Sequence, residues 1–402
     1  MSTVRQEGDA GPIRVSVNGR YFVDRSGEPF FWLGDTLWDL FRDFSAPDAD
    51  VVLKARKRQG FSAVQIMITG VGDGAKPNLS GQTPWIKDDP AAPNEAYFKN
   101  VDGVMEAGRL NGLVLVLGVF HQRQVARITP ANARGYARWI ARRYRDAPNV
   151  IWSMYPKAEQ DYIPVLRELA TGLREGDGGA HLITVHPDPS PASSSFIHDE
   201  PWLDFNSSQP WNRYEMVYGM VTADCARTPE KPAVMAEAGY EGVRTLTPLI
   251  IRKQAYWSHL AGGHHSYGHD DNWRSPSSWR SWIDSPGAGH MGVYRKIVTS
   301  CREWWNWVPD QSIFAGGASD GPTLNAAARS TAGDWILAYL SSNTTVSIQM
   351  DKITAGDAVE ASWFDPTTGT RTRIGGFTNR GVQSFSTPSG WEDAVLLLEA
   401  RK

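Results

Sequence analysis

Between residues 30 and 307 one pattern repeats: a short apolar run, then a longer amphipathic stretch. The runs are too short for core helices and are rich in Val, Ile and Trp, which reads as strands buried on both faces. The expected strands lie at 30–35, 63–68, 113–120, 149–154, 182–185, 202–205, 233–236 and 263–267. Helical spacing is expected over 48–58, 96–110, 130–145, 159–174, 248–260 and 291–305, with a long Gly/Pro-rich loop at 70–93. Eight strands alternating with helices over this length point to an α/β fold, a (β/α)8 TIM barrel. A doubly wound open sheet is the alternative. It is disfavoured because no glycine-rich phosphate loop follows the first strand.

After about Gly316 the period changes. Short strands are expected at 335–340, 345–350, 359–364, 370–374, 383–386 and 394–398, separated by Gly, Pro, Asp and Thr turns. That reads as a small all-β sandwich. The expected division is a barrel with an N-terminal β extension over 1–315 and an accessory β domain over 316–402.

Composition narrows the function. The net charge is -3, so no basic surplus exists to neutralise a phosphate backbone, and nucleic acid is not an expected partner. Two cysteines, Cys225 and Cys301, cannot make a disulfide framework. No apolar run approaches the roughly 20 residues that a membrane helix needs. The first residues carry no apolar leader, so a cytoplasmic protein is expected, without membrane or cofactor. Seventeen tryptophans suit a carbohydrate partner, because the apolar face of a sugar ring stacks on an aromatic one while its hydroxyls find polar groups.

Catalytic side chains of a barrel gather where its strands end. Here those ends are polar: Asp35 and Trp38, Gln65, His121, Trp152, His186 and Asp188, Gln209 and Trp211, Glu237 and Tyr240, then His265, Tyr267 and Trp273. Together they describe a polar pocket rimmed by aromatic rings. Glu237 stands out among them, since Ala233-Val234-Met235-Ala236 is a core-strand run that ends in a carboxylate. Burial raises the energy of an ionised carboxylate, so this placement asks for a use. Glycoside hydrolysis requires two carboxyl groups across the scissile bond, and Glu237 is the natural nucleophile of such a pair. A metal-dependent hydrolase is the rival reading. His265 and His269 are four apart and Asp270 and Asp271 follow, but the segment is glycine-rich and does not place both imidazoles on one helix face.

The chain also resembles a known family. Asn18-Gly19-Arg20-Tyr21-Phe22-Val23-Asp24 and Pro29-Phe30-Phe31-Trp32-Leu33-Gly34-Asp35-Thr36-Leu37-Trp38 are similar to the opening of the apiosidase-like glycoside hydrolases. Asn149-Val150-Ile151-Trp152, the stretch from His181 to Pro187, Trp202-Leu203-Asp204-Phe205-Asn206, Ala236-Glu237, Tyr240-Glu241 and His265-Ser266-Tyr267-Gly268 continue the likeness. Trp363-Phe364-Asp365-Pro366-Thr367-Thr368-Gly369 resembles the family's C-terminal β domain, which carries a collagen-binding label. The resemblance implies a retaining barrel with Glu237 as nucleophile. It also implies an Asp after the fourth strand, in Gly-Gly-Asp, as the general acid. This chain has Ser153-Met154-Tyr155-Pro156-Lys157 there, so a lysine replaces the acid. Glu159 is the expected substitute and Asp188 the next candidate. A carbohydrate-binding protein that has lost its acid is the alternative to an active enzyme.

Overall fold

The computed structural model describes residues 11–155, 161–274 and 276–401. Eight parallel strands make one sheet: β1 (Leu33–Thr36), β2 (Ala63–Met67), β3 (Val114–Gly118), β4 (Val150–Ser153), β5 (Ile183–Thr184), β6 (Asn206–Ser208), β7 (Ala233–Met235) and β8 (His264–Tyr267). Neighbours are hydrogen-bonded in the order β5-β4-β3-β2-β1-β8-β7-β6. The seam between β5 and β6 is drawn together by Asp204 N, which donates to the Ile183 carbonyl at 2.9 Å. The Thr184 hydroxyl adds bonds to the Phe205 carbonyl and the Ser207 hydroxyl, both 2.9 Å. Around this near-closed barrel run α1 (Ala46–Arg58), α2 (Glu95–Leu110), α3 (Ala133–Arg143), α4 (Ile163–Asp177), α5 (Val217–Cys225), α6 (Pro248–Leu260) and α7 (Pro286–Thr299). No described helix is long and apolar enough to cross a membrane.

β6 corrects one expectation. The apolar residues at 202–205 lead into the strand, which itself is Asn206-Ser207-Ser208. Its polarity hid it from a search for apolar runs. The strand is buried nonetheless, because its serines bond across the seam and to the Ser193 hydroxyl.

Successive strand side chains alternate between the barrel interior and the helix layer. Ala63, Val114, Val116, Ile151, Val234 and Ala236 pack together inside with Trp32 and Phe205. Val64, Ile66, Leu115, Leu117, Val150 and Trp152 pack outward among α1 to α4. A three-stranded sheet of Arg14–Val15, Phe22–Val23 and Pro29–Phe30 closes the end where the strands begin. Phe22 meets Trp32 at 5.1 Å and Phe205 at 5.2 Å between ring centroids. One end of the barrel is thus plugged with rings, and the other is left for a site.

The C-terminal unit has β9 (Trp307–Pro309), β10 (Phe314–Gly316), β11 (Ala326–Ser330), β12 (Trp335–Leu340), β13 (Thr345–Gln349), β14 (Ala358–Phe364), β15 (Arg371–Thr378), β16 (Val382–Ser386) and β17 (Ala394–Arg401). A six-stranded sheet, β9-β11-β12-β17-β14-β15, packs against a three-stranded one, β10-β13-β16. Trp307–Pro309 pairs with β11, so the antiparallel unit begins at Trp307 rather than at 316. The large sheet is covered twice. Ile336, Ala338, Leu396 and Leu398 face the small sheet, while Trp335, Leu337, Tyr339, Val395 and Leu397 pack on α6 and α7. That is why Trp335-Ile336-Leu337-Ala338-Tyr339-Leu340 shows no polar alternation. At the joint, Asp393 accepts from Arg252 Nε at 2.8 Å and Nη2 at 2.7 Å, and from the Tyr339 hydroxyl at 2.7 Å. The Tyr256 and Tyr339 rings stack at 4.5 Å between centroids.

Candidate active site

β7 ends at Met235, and the chain then runs Ala236-Glu237-Ala238-Gly239-Tyr240-Glu241 across the open mouth of the barrel. Several bonds fix this segment. Ala236 N donates to the Ser208 carbonyl at 2.9 Å, which ties it to β6. Gln65 Nε2 crosses the lumen from β2 and donates to the Ala236 carbonyl at 2.5 Å. On α6, buried Gln254 accepts from Gly239 N at 2.6 Å and donates to the Gly239 carbonyl at 3.0 Å. The small residues beside Glu237 follow from this grip: a Cβ on Gly239 would lie 2.5 Å from the Leu246 side chain. Glu241 N donates to the Gly268 carbonyl at 2.9 Å, and Asp270 N to the Glu241 carbonyl at 2.8 Å, so the segment also pairs with the end of β8.

Glu237 is 6% exposed. Its Oε2 lies 3.3 Å from His186 Nε2, without the geometry of a hydrogen bond. The other ring nitrogen, Nδ1, is 3.1 Å from the Pro187 carbonyl. The Tyr240 hydroxyl accepts from Trp38 Nε1 at 2.6 Å and interacts with Glu237. Burial, then the charge of Glu237, pushes the Tyr240 phenol up, which keeps it a neutral donor. Tyr155 is pushed up by burial, then by the charges of Glu237 and Asp188. Its ring centroid is 4.9 Å from His186, 5.6 Å from His121 and 6.1 Å from Trp38. Trp38, Met67 and Tyr155 form a small apolar patch, with Trp273 half-buried against it. His121 Nδ1 accepts from Arg123 N, and burial lowers its imidazole to about 4, so it stays neutral near pH 7. Three buried polar atoms around this mouth have no hydrogen-bond partner among the described residues: His186 Nε2, Gln209 Oε1 and Trp273 Nε1, while the Thr36 hydroxyl reaches Tyr240. Buried polar groups normally find one, and a ligand's hydroxyls are one way to supply it.

The structure therefore gathers Trp38, Gln65, His121, His186, Asp188, Gln209, Trp211, Glu237, Tyr240 and Trp273 around the open end. It turns four other expected residues away. Asp35 is fully buried behind β1, with Oδ2 2.6 Å from Arg56 Nε on α1. Burial pushes its carboxyl up, and Arg56 and the Thr36 N–H pull against that. Trp152 Nε1 donates to Asp177 on α4 at 2.8 Å. His265 Nδ1 is 3.1 Å from Ser258 Oγ on α6. The Tyr267 hydroxyl donates to Glu241 Oε2 at 2.6 Å. All four occupy the outward phase of their strands, so their partners are helices. Glu159 and Lys157 lie outside the described residues. His269 stacks on Trp282 and does not converge with His265; among the described residues no three His, Cys, Asp or Glu gather as a metal requires.

Tyr155 and Thr36 were not singled out from the sequence. Strand phase could have found Tyr155: counted from inward Ile151, positions 153 and 155 face inward and Trp152 outward.

Comparison with known proteins gives the family and the fold. The family profile described as "Apiosidase-like, catalytic domain" matches residues 16–306. A second profile, described as "Putative collagen-binding domain of a collagenase", matches residues 308–399. No curated protein matches the chain. A crystal structure of a glycoside hydrolase family 5 protein from Bacteroides vulgatus ATCC 8482 is 27% identical, covers 98% of this chain and 94% of its own, and superposes with a TM-score of 0.89. Another solved structure, described as a glycoside hydrolase, is 26% identical over 97% of both chains, with a TM-score of 0.89. An arabinopyranosidase of family 27 from Geobacillus stearothermophilus, 11% identical with a TM-score of 0.60 over 92% of this chain and 97% of its own, shares the fold alone.

Proposed function

The chain belongs to the apiosidase-like catalytic-domain family, and from that premise we propose that it is a retaining glycoside hydrolase acting on a carbohydrate substrate. The observation that carries the reading is Glu237: a nearly buried carboxylate at the barrel mouth, faced by His186, Tyr240 and Tyr155. In this reading Glu237 attacks the anomeric carbon while a carboxylic acid protonates the departing oxygen. Water then hydrolyses the glycosyl-enzyme with that second residue acting as base. Tyr240, pinned by Trp38, orients the attacking oxygen. Gln65 and Gln254 hold the peptide that carries it.

Asp188 is the acid/base we propose among the described residues, because it follows β5 at the same end of the barrel, on a loop tied to the Gln209 carbonyl by Ser190 N, and its charge reaches Tyr155 as that of Glu237 does. Glu159 is the competing candidate. The two separate by leaving group. Replacing the true acid by Ala spares an activated aryl glycoside, which needs little protonation, and cripples an unactivated one. The nucleophile is tested by Glu237→Gln on a panel of aryl glycosides, where turnover should fall by more than about 10³-fold. Undiminished turnover would end the assignment. Saccharide binding by the wild type with no turnover of any leaving group would instead make the chain a binding protein.

A further inference from the structure

We propose that Asp393, immediately before β17 in the C-terminal unit, is a positioning residue for catalysis, acting through α6 on the peptide that carries Glu237. The inference rests on the reading of Glu237 as nucleophile, and it gives the C-terminal unit a part in the reaction.

On α6 the consecutive residues Arg252, Lys253 and Gln254 face three ways, as about 100° of turn per residue requires. Arg252 points to the C-terminal unit, where Asp393 accepts from its Nε at 2.8 Å and its Nη2 at 2.7 Å. Tyr256, one turn on, stacks on Tyr339 at 4.5 Å between centroids. Lys253 Nζ donates to the Pro322 carbonyl at 2.7 Å, and Trp257 Nε1, one turn on, donates to the Leu324 carbonyl at 3.0 Å. The third stripe turns to the barrel. There Gln254 pairs with both backbone groups of Gly239, and Ser258 Oγ lies 3.1 Å from His265 Nδ1. Two stripes of the helix thus bond to the C-terminal unit and fix its rotation. That rotation sets where Gln254 points, two residues along the chain from Glu237.

The chemistry of the joint fits this use. Arg252 is 1% exposed, and a buried ion pair adds little net stability over hydrocarbon. What such a pair supplies best is a single register. Both Asp393 oxygens are engaged, since the Tyr339 hydroxyl also donates to it at 2.7 Å. The same guanidinium touches the second helix that grips the segment. Its Nη1 donates to His290 Nδ1 on α7 at 3.2 Å, and Gly287 N at the start of α7 donates to Glu241 Oε1 at 2.8 Å. The chain after Glu237 is therefore held at Gly239 by α6 and at Glu241 by α7, with Arg252 bonded to Asp393 between them. A shift of about 1 Å at a reacting atom costs about 10²-fold in rate, so small rotations of these helices reach the chemistry.

The test is a kinetic double-mutant cycle on an aryl glycoside that the wild type cleaves, run well below every thermal midpoint. Asp393→Asn keeps the shape and removes the charge. It should lower kcat about tenfold with KM unchanged, the signature of an interaction lost only in the transition state. Tyr339→Phe keeps the stacked ring but withdraws one donor from Asp393, and should lower kcat about threefold. Gln254→Leu cuts the connection at its last bond. In that background Asp393→Asn should lower kcat no further, while still lowering the thermal midpoint. An unchanged kcat in Asp393→Asn overturns the proposal, and so does a fall by the same factor in both backgrounds. If Glu237→Gln still turns over the same substrate, the nucleophile reading has failed instead.

Discussion

The mouth of the barrel and the helix layer behind it both bury carboxylates, and they treat them in opposite ways. In the helix layer Asp35 is closed off by Arg56 Nε and by Thr36 N at 2.8 Å. Arg56 in turn donates to Gln59 Oε1 and the Ile283 carbonyl, both 2.7 Å, and sits within 5.2 to 5.6 Å of the rings of Phe61, Tyr267 and Trp282. Glu241 is answered by the Tyr267 hydroxyl and by Gly287 N at 2.8 Å, at the start of α7. At the mouth Glu237 has a histidine at contact distance and a tyrosine already engaged by Trp38. The difference teaches that burial alone does not mark a reactive carboxylate. What separates Glu237 from Asp35 is how little of its hydrogen-bonding capacity the described residues use.

The sharpest way to break this contrast is Asp35→Ala. It would leave the Arg56 guanidinium buried and unpaired, and should cost about 3–5 kcal/mol. Glu237→Gln should stay within about 1 kcal/mol of wild type. Thermal midpoints of the two variants decide the matter, and equal shifts would mean that both sites are structural. The next effect is kinetic. Tyr240→Phe removes a hydroxyl that serves Trp38 and Glu237, and should reduce kcat roughly 10- to 100-fold, the range for a bond to a charged group. A change confined to KM would place Tyr240 in substrate binding rather than in orienting the nucleophile.

The smallest effect per group concerns acid stability. Burial lowers His259 to about 3, His264 to about 4 and His265 to about 3. Unfolded, each titrates near 6.5. Below that value the unfolded chain binds more protons, so the stability these neutral imidazoles carry is intact above about pH 6.5 and is lost as pH falls toward 3–4. Each should cost about 1–2 kcal/mol at pH 5. Unfolding midpoints between pH 7 and pH 4.5 should therefore drop steadily, and a flat profile would show that these rings can be protonated in place.

Much of the fold was legible because parallel strands covered on both faces read as unbroken apolar runs, as at Val114–Gly118 and Ala233–Met235. The same rule hid β6, whose burial is satisfied by hydroxyls rather than by hydrocarbon. At the site, residue type identified Glu237, Tyr240 and His186 as candidates, but type carries no phase. Asp35, Trp152, His265 and Tyr267 are as polar or aromatic as their neighbours and differ only in the side of the strand they occupy. Counting by twos from an inward residue distinguishes Tyr155 from Trp152, whereas the Arg56 partner of Asp35 comes from tertiary packing that no local pattern announces.

The doubly clad sheet of the C-terminal unit has a consequence for how such chains diverge. A cut at residue 306 falls between the two matched profiles, yet it would strip α6 and α7 of their apolar cover and leave Arg252 without Asp393. Recombination could exchange this unit for an unrelated one only if the newcomer brought an acid and an aromatic face to the same places. Loops at the mouth can drift one at a time toward new sugars, while the two halves of the chain must be inherited as a single cassette.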